Sequence, residues 1–127
     1  MITENIQDIR DYATVSTSFT YDKLLPHLER AKRNEVISVI STEQYQTLDV
    51  YSEEDETIKT AINLIKDAEV NIALYYYLPV GSIQITSGGV IVVVPKGQTD
   101  ASSKDMRDAM RYHKKCGHQA LDNLLLN

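Results

Sequence analysis

The chain has 127 residues and a mass of 14.4 kDa, with 43% hydrophobic and 24% charged residues, the balance of one soluble globular domain and not of a disordered, collagen-like or low-complexity chain. A net charge of -5 at pH 7 and a pI near 5.1 argue against a chain that tracks nucleic-acid phosphates with its whole surface, which needs clustered Lys and Arg. The single cysteine, Cys116, excludes an internal disulfide framework and is compatible with a reducing compartment.

Met1-Ile2-Thr3-Glu4-Asn5 has neither the basic nor the apolar region of a signal peptide, and no stretch reaches the ~18 apolar residues of a membrane span, so no membrane contact is expected. A short opening helix is expected over Thr3 to Arg10, with Thr3 as its cap and Ile2, Ile6 and Ile9 on one side. Thr14 to Thr20 is hydroxyl-rich and aperiodic and reads as a loop. The next helix begins at Thr20 or Tyr21, with Pro26 near its first turn, where a missing N–H costs least. Leu24, Leu28, Ala31, Glu35 and Val39 follow helical spacing with Glu35 breaking the apolar stripe, and Arg30, Lys32 and Arg33 lie toward the other side. A short helix capped by Ser41 or Thr42 carries Tyr45 and Leu48.

Glu53-Glu54-Asp55-Glu56 leads into the clearest helix, expected to end near Leu78 at Pro79 and Gly81; acids in a first turn complement the helix dipole. Ile58, Ala61, Ile62, Ile65, Ala68, Ile72, Ala73 and Tyr76 form its apolar stripe. Leu64, Val70, Leu74, Tyr75 and Tyr77 extend the apolar surface beyond one face, which predicts a central helix. Ser82–Thr86 and Val90–Val94 flank Ser87-Gly88-Gly89 and read as a β-hairpin. The last helix is expected from about 102 to 126. The fold class is therefore mainly α, a single domain over 1–127 made of a small bundle of four to five helices, with one hairpin at about 82–95 inserted before the C-terminal helix.

The hairpin carries the functional reading. A two-stranded hairpin alone is marginal in water, and its second strand is apolar on both faces, with Val90, Val92 and Val94 pointing one way and Ile91 and Val93 the other. One face can lie on the helices, and the other face and the unpaired edge need a cover. Either the hairpin folds wholly onto its own bundle, or Ile83, Ile85 and Val90 to Val94 form an interface with another chain. The intermolecular arrangement buries both sides of the strand and is the one expected.

Other candidates point to no catalytic chemistry. His113, Cys116 and His118 resemble metal ligands, but on a helix 118 lies about 200° around from 116; convergence needs a break at Gly117, and no further Cys completes a zinc set. Surface histidines and a packed cysteine account for them, so no metal or other cofactor is expected. A Cys–His nucleophile lacks an oxyanion donor and an orienting acid. Ser87-Gly88-Gly89 is no phosphate loop, and the acidic run lacks the spacing of a calcium loop. Tyr75-Tyr76-Tyr77 point in three directions and suit packing better than base stacking. Lys104, Arg107, Arg111, Lys114 and Lys115 lie near one side of the last helix. They are either an ordinary solvated face or a basic stripe meeting an acidic neighbour such as Glu53, Glu54, Asp55 and Glu56 of an adjacent copy.

Three segments together carry a family likeness: Ala73-Leu74-Tyr75-Tyr76-Tyr77-Leu78, the hairpin opening Ser82-Ile83-Gln84-Ile85-Thr86-Ser87-Gly88-Gly89-Val90, and Gly117-His118-Gln119-Ala120-Leu121-Asp122-Asn123-Leu124-Leu125. Over most of its length the chain resembles the small head–tail connector (adaptor, or head-completion) proteins of tailed bacteriophages, of a type common in Bacteroidetes phages. The resemblance implies a non-enzymatic virion protein of the phage neck, assembled in the bacterial host cytoplasm as a homo-oligomeric ring that joins the portal protein to tail or further neck proteins. DNA passes through the channel of such a ring without specific binding. The C-terminal segment of such proteins docks on the portal, which here corresponds to Leu124, Leu125 and Leu126. Another minor virion or tail-completion protein, and a small helical adaptor or regulatory module outside phages, are the alternatives.

Overall fold

The helix α5, Glu56–Gly81, is 26 residues long and organises everything else. Its residues 68–74 are buried without interruption, so this stretch has no solvent face and must be surrounded on all sides. The computed structural model describes residues 1–15, 17, 19–50, 55–81, 83–86, 89–92 and 103–126, with the side chains of 81, 83–86, 89–92 and 103–105 outside the description. Among these residues the chain is mainly helical. α1 (Ile6–Tyr12), α2 (Tyr21–Ala31), a π-helical turn (Lys32–Val36), α3 (Ile37–Ile40) and α4 (Thr42–Asp49) precede α5, and α6 (Ser103–Leu126) closes the chain. α5 packs most extensively against α6, then α2, then α1. One core, including Ile9, Leu24, Leu28, Ile65, Val70 and Leu121, joins these helices.

Several boundaries differ from the sequence reading, each for a local reason. α1 starts at Ile6, with the Asn5 side chain accepting from the Asp8 amide at 3.0 Å. Thr3 is not its cap, because Thr3 is fully buried and spends its hydroxyl on α5. Pro26 lies inside α2, beyond the first turn, where its ring faces solvent and only the Asp22 carbonyl loses its helical donor. The stripe through Glu35 does not continue in α-helical register. The π turn inserts extra winding, so that Val36 takes the buried position and Glu35 stays partly exposed. Ser41, at φ 79°, is the non-glycine residue in the left-handed region; its side chain caps α4 by accepting from the Gln44 amide at 3.3 Å. α5 does not stop before Pro79 but runs through it to Gly81, since in a last turn the proline deprives only the Tyr75 carbonyl.

Two short strands follow, β1 (Ile83–Thr86) and β2 (Gly89–Val92), antiparallel with Ile83 opposite Val92 and Thr86 opposite Gly89. Val93, Val94 and the packing of every hairpin side chain lie outside the described residues.

α6 runs antiparallel to α5, as the pairs Tyr75–Lys114 and Ala68–Gly117 show. Gly117 does not break α6; it lets the two helices touch. A Cβ there would sit 2.5 Å from Ile72 Cγ1 and 3.4 Å from the Ala68 carbonyl oxygen. Ile72 is buried and β-branched, so it has little freedom to yield. Gly117→Ala should gain up to ~1 kcal/mol of helix propensity and lose about 1–3 kcal/mol to overpacking. The expected net result is a lower urea midpoint for Gly117→Ala, and an Ile72→Ala, Gly117→Ala pair that loses less than the two single changes summed, because Ile72→Ala removes the Cγ1 that the new methyl meets.

Candidate functional site

The helix that forms the core also carries an acid into it. Glu69 is fully buried, and its carboxylate collects donors from two other segments. Thr3 donates its backbone amide (3.2 Å) and its hydroxyl (2.8 Å) to Oε1, and the Tyr45 hydroxyl donates to Oε2 at 2.5 Å. The Tyr45 hydroxyl in turn accepts the Ile2 amide at 3.0 Å, and Tyr21 donates to the Thr3 carbonyl at 2.7 Å. The Met1 amino group reaches Asp49 at 3.0 Å, and the Lys32 ammonium lies 4.6 Å from the Tyr45 ring centroid. This centre clamps residues 1–3 and α4 onto α5. Burial pushes the Glu69 carboxyl up to about 7, against the opposing pull of its hydrogen bonds from Tyr45 and Thr3. Burial and the neighbouring Glu69 charge push the Tyr45 phenol up as well.

A second polar array bridges α5 and α6. The Asn71 amide nitrogen donates to the Asp67 carbonyl oxygen (3.0 Å) and carboxylate (2.6 Å), which turns its oxygen toward His113 Nδ1 at 2.9 Å. That oxygen accepts, so Nδ1 carries the proton and Nε2 keeps a free lone pair. Burial lowers the His113 pKa and raises that of Asp67, which keeps the imidazole neutral at pH 7. His113 borders an open depression of about 380 Å³ shared with Arg10, Tyr12 and Tyr112. A neighbouring one of about 330 Å³ is lined by Asp11, Asp67, Asn71 and Cys116 among others. Asn71 is therefore an orienting group for His113 that the sequence did not reveal. Cys116 lines the second depression one turn after Tyr112 on α6, and His118 lies on another side of the unbroken α6. Among the described residues no three His, Cys, Asp or Glu side chains gather closely enough to hold a metal ion.

The expected surface residues are only partly brought together. Asp55 and Glu56 are exposed at the start of α5. Asp55 caps the helix through the Thr57 amide at 2.8 Å, and Glu56 reaches Lys59 at 3.9 Å. Glu53 and Glu54 lie outside the described residues, as does the Lys104 side chain. Arg107, Arg111, Lys114 and Lys115 are exposed along α6. Of the C-terminal leucines, Leu124 packs against the chain's own core and so is not free for docking, whereas Leu125 and Leu126 are 64% and 84% exposed. Ile83, Ile85, Val90, Ile91 and Val92 are in the two strands, with the direction of their side chains outside the description.

The three consecutive tyrosines each find a different neighbour. Tyr77 meets Phe19 and His27 edge-on, with centroids 5.3 and 5.7 Å away. The Arg30 guanidinium sits 4.3 Å from the Tyr76 centroid, and the Lys114 ammonium 5.5 Å from that of Tyr75. The sequence places Arg30 only on the side away from the apolar stripe and does not single out Glu69; an acid within Ala68-Glu69-Val70-Asn71-Ile72-Ala73-Leu74 is the signal it carries.

No helix among the described residues is long and apolar enough to cross a membrane. Comparison with known proteins finds no matching family model, no matching curated protein and no matching solved structure.

Two predictions follow from the polar centres. Glu69 has a higher pKa folded than its ordinary 4.5, so its contribution to stability is complete below about pH 4.5 and is lost as pH rises through about 7. The difference corresponds to about 3 kcal/mol. Urea titrations at pH 4.5, 6 and 8 should show this decline, and Glu69→Gln, which mimics the protonated acid, should flatten it. Nitrogen-15 spectra of the histidine rings should show His113 as the Nδ1–H tautomer, titrating below the ordinary 6.5, and Asn71→Leu should abolish that tautomer preference.

Proposed function

We propose that this chain is a non-enzymatic structural protein that assembles with copies of itself through its hairpin, and that the assembly is the neck ring of a tailed bacteriophage. The observation that carries the reading is the two-stranded pairing of β1 with β2, in which the apolar sequence run Val90-Ile91-Val92-Val93-Val94 begins. Each strand of such a pair has one unmatched edge, and a strand from a second copy satisfies that edge and covers apolar surface in one step. In this reading Ile83, Ile85 and Val90 to Val94 form the subunit interface. Leu125 and Leu126, exposed at the end of α6, are the contact offered to a portal protein, and further neck or tail proteins bind the opposite side. The likeness of the tyrosine-rich, hairpin and closing-helix segments to connector proteins supports the phage assignment. The virion is then its location, and DNA passes the ring without sequence readout.

Native mass spectrometry of the full chain, followed by electron microscopy with portal particles, tests both halves. Closed oligomers that bind the portal are expected, with Val92→Lys no longer closing rings while keeping its helical content. Monomers that persist at millimolar concentration without portal affinity overturn the proposal.

A further inference from the structure

The charged ends of α5 define a second surface, independent of the hairpin. At the C-terminal half of α5, Arg30 of α2, Tyr76 and Tyr75 of α5 and Lys114 of α6 form one continuous row. The guanidinium stands 4.3 Å from the Tyr76 centroid, the two tyrosine rings are 5.5 Å apart, and the ammonium stands 5.5 Å from the Tyr75 centroid. Three helices therefore contribute to a single basic and aromatic face. Arg30 and Lys114 are exposed, and Arg111 lies one turn before Lys114, exposed as well. The half-buried rings hold both cations in place, so ordering them on binding costs less entropy than for free Lys and Arg chains.

The other end of the same helix has the opposite sign. Asp55 and Glu56 are exposed at its start, within the densest acidic run of the sequence, and the nearby α6 terminus adds the exposed Asp122. Twenty helical residues separate Glu56 from Tyr76, or about 30 Å at 1.5 Å per residue. That is about three Debye lengths at 0.1 M salt, so the two ends do not neutralise each other within one molecule.

We propose that the Arg30–Tyr76–Tyr75–Lys114 face receives the acidic start of α5 from a second copy of this chain, a head-to-tail contact. The occupant is chosen by charge complementarity. A contact between two different faces of the same molecule propagates, and closes into a ring or extends as a filament according to its rotation. It adds a second junction to the hairpin pairing proposed above and does not require that pairing.

The test uses two variants of the full chain. Arg30→Glu, Lys114→Glu reverses the basic face. Asp55→Asn, Glu56→Lys removes both acids of the described helix start and adds a cation, while Asn keeps a good helix cap. Far-UV circular dichroism checks that each is folded, and Arg30→Gln, Lys114→Gln replaces the first pair if it is not. Sedimentation velocity at low and high salt should show wild-type association that weakens with salt, and each variant associating at least ~tenfold more weakly. An equimolar mixture of the two variants should regain the association each has lost, because each retains the face the other needs and the two altered faces carry opposite charges.

A mixture that behaves as the sum of its parts overturns the proposal, and so does association of Val92→Lys that is indifferent to salt between about 0.05 and 0.5 M. A single-stranded oligonucleotide whose binding is lost in Arg30→Glu, Lys114→Glu, while self-association is unchanged, also overturns it and assigns the face to a polyanion. Val92→Lys is run alongside. If it dissolves rings while the mixture shows no pairing, the hairpin assembly stands and the head-to-tail contact falls.

Discussion

A carboxyl group with no water around it governs how this bundle closes. Glu69 sits on the one helix that is buried on every side, and it is satisfied only by groups that come from far away in sequence. Thr3 lies 66 residues off and Tyr45 24. Removing either partner leaves a buried acceptor unmet, which costs more than the bond itself contributes. The first residues of the chain and the short helix α4 are each too small to hold themselves in place by apolar burial. A shared acid gives both a defined seat, and so the core acquires a fixed arrangement where these segments meet α5.

Against α6 the same helix uses a different device. Gly117 brings α6 close enough for backbone to meet side chain at Ile72 and Ala68, and the Asp67–Asn71–His113 array sets the rotation of one helix against the other. α5 is thus positioned by hydrogen bonds on one flank and by close contact plus one polar bridge on the other. His113 is oriented by Asn71 toward a depression whose other walls are Arg10, Asp11, Tyr12, Thr14 and Tyr112 among others.

Much of the helical plan was legible because apolar spacing alone determines which stretches bury a stripe. The breadth of apolar residues in α5 revealed its central place for that reason. The failures are equally physical. Thr3 was read as a cap because its residue type suits one; the competing demand came from a buried acid 66 residues away, which no local pattern contains. Glu35 looked like a flaw in a stripe, whereas the backbone changes its winding there. Pro79 looked like a terminator, though a proline at the last turn disturbs a single carbonyl. Of the candidate site, the basic residues of α6 could be placed on one side from spacing, but their meeting with Arg30 across Tyr75 and Tyr76 is tertiary and left no local trace.

The π turn at Lys32–Val36 has a consequence for how this architecture tolerates length changes. Such a turn holds roughly one residue more than an α-helical turn, and each helical residue rotates the chain by about 100°. Excising one amino acid there would let α2 and α3 run on as one α-helix with nearly the same rotation, so Val39, Ile40 and Tyr45 would keep their facing. Excising one from the regular α-helix of α2 instead would swivel everything downstream by about that angle, and Tyr45 would swing away from the acid it serves. A register error of a single codon would in this way unfasten the innermost bond of the protein.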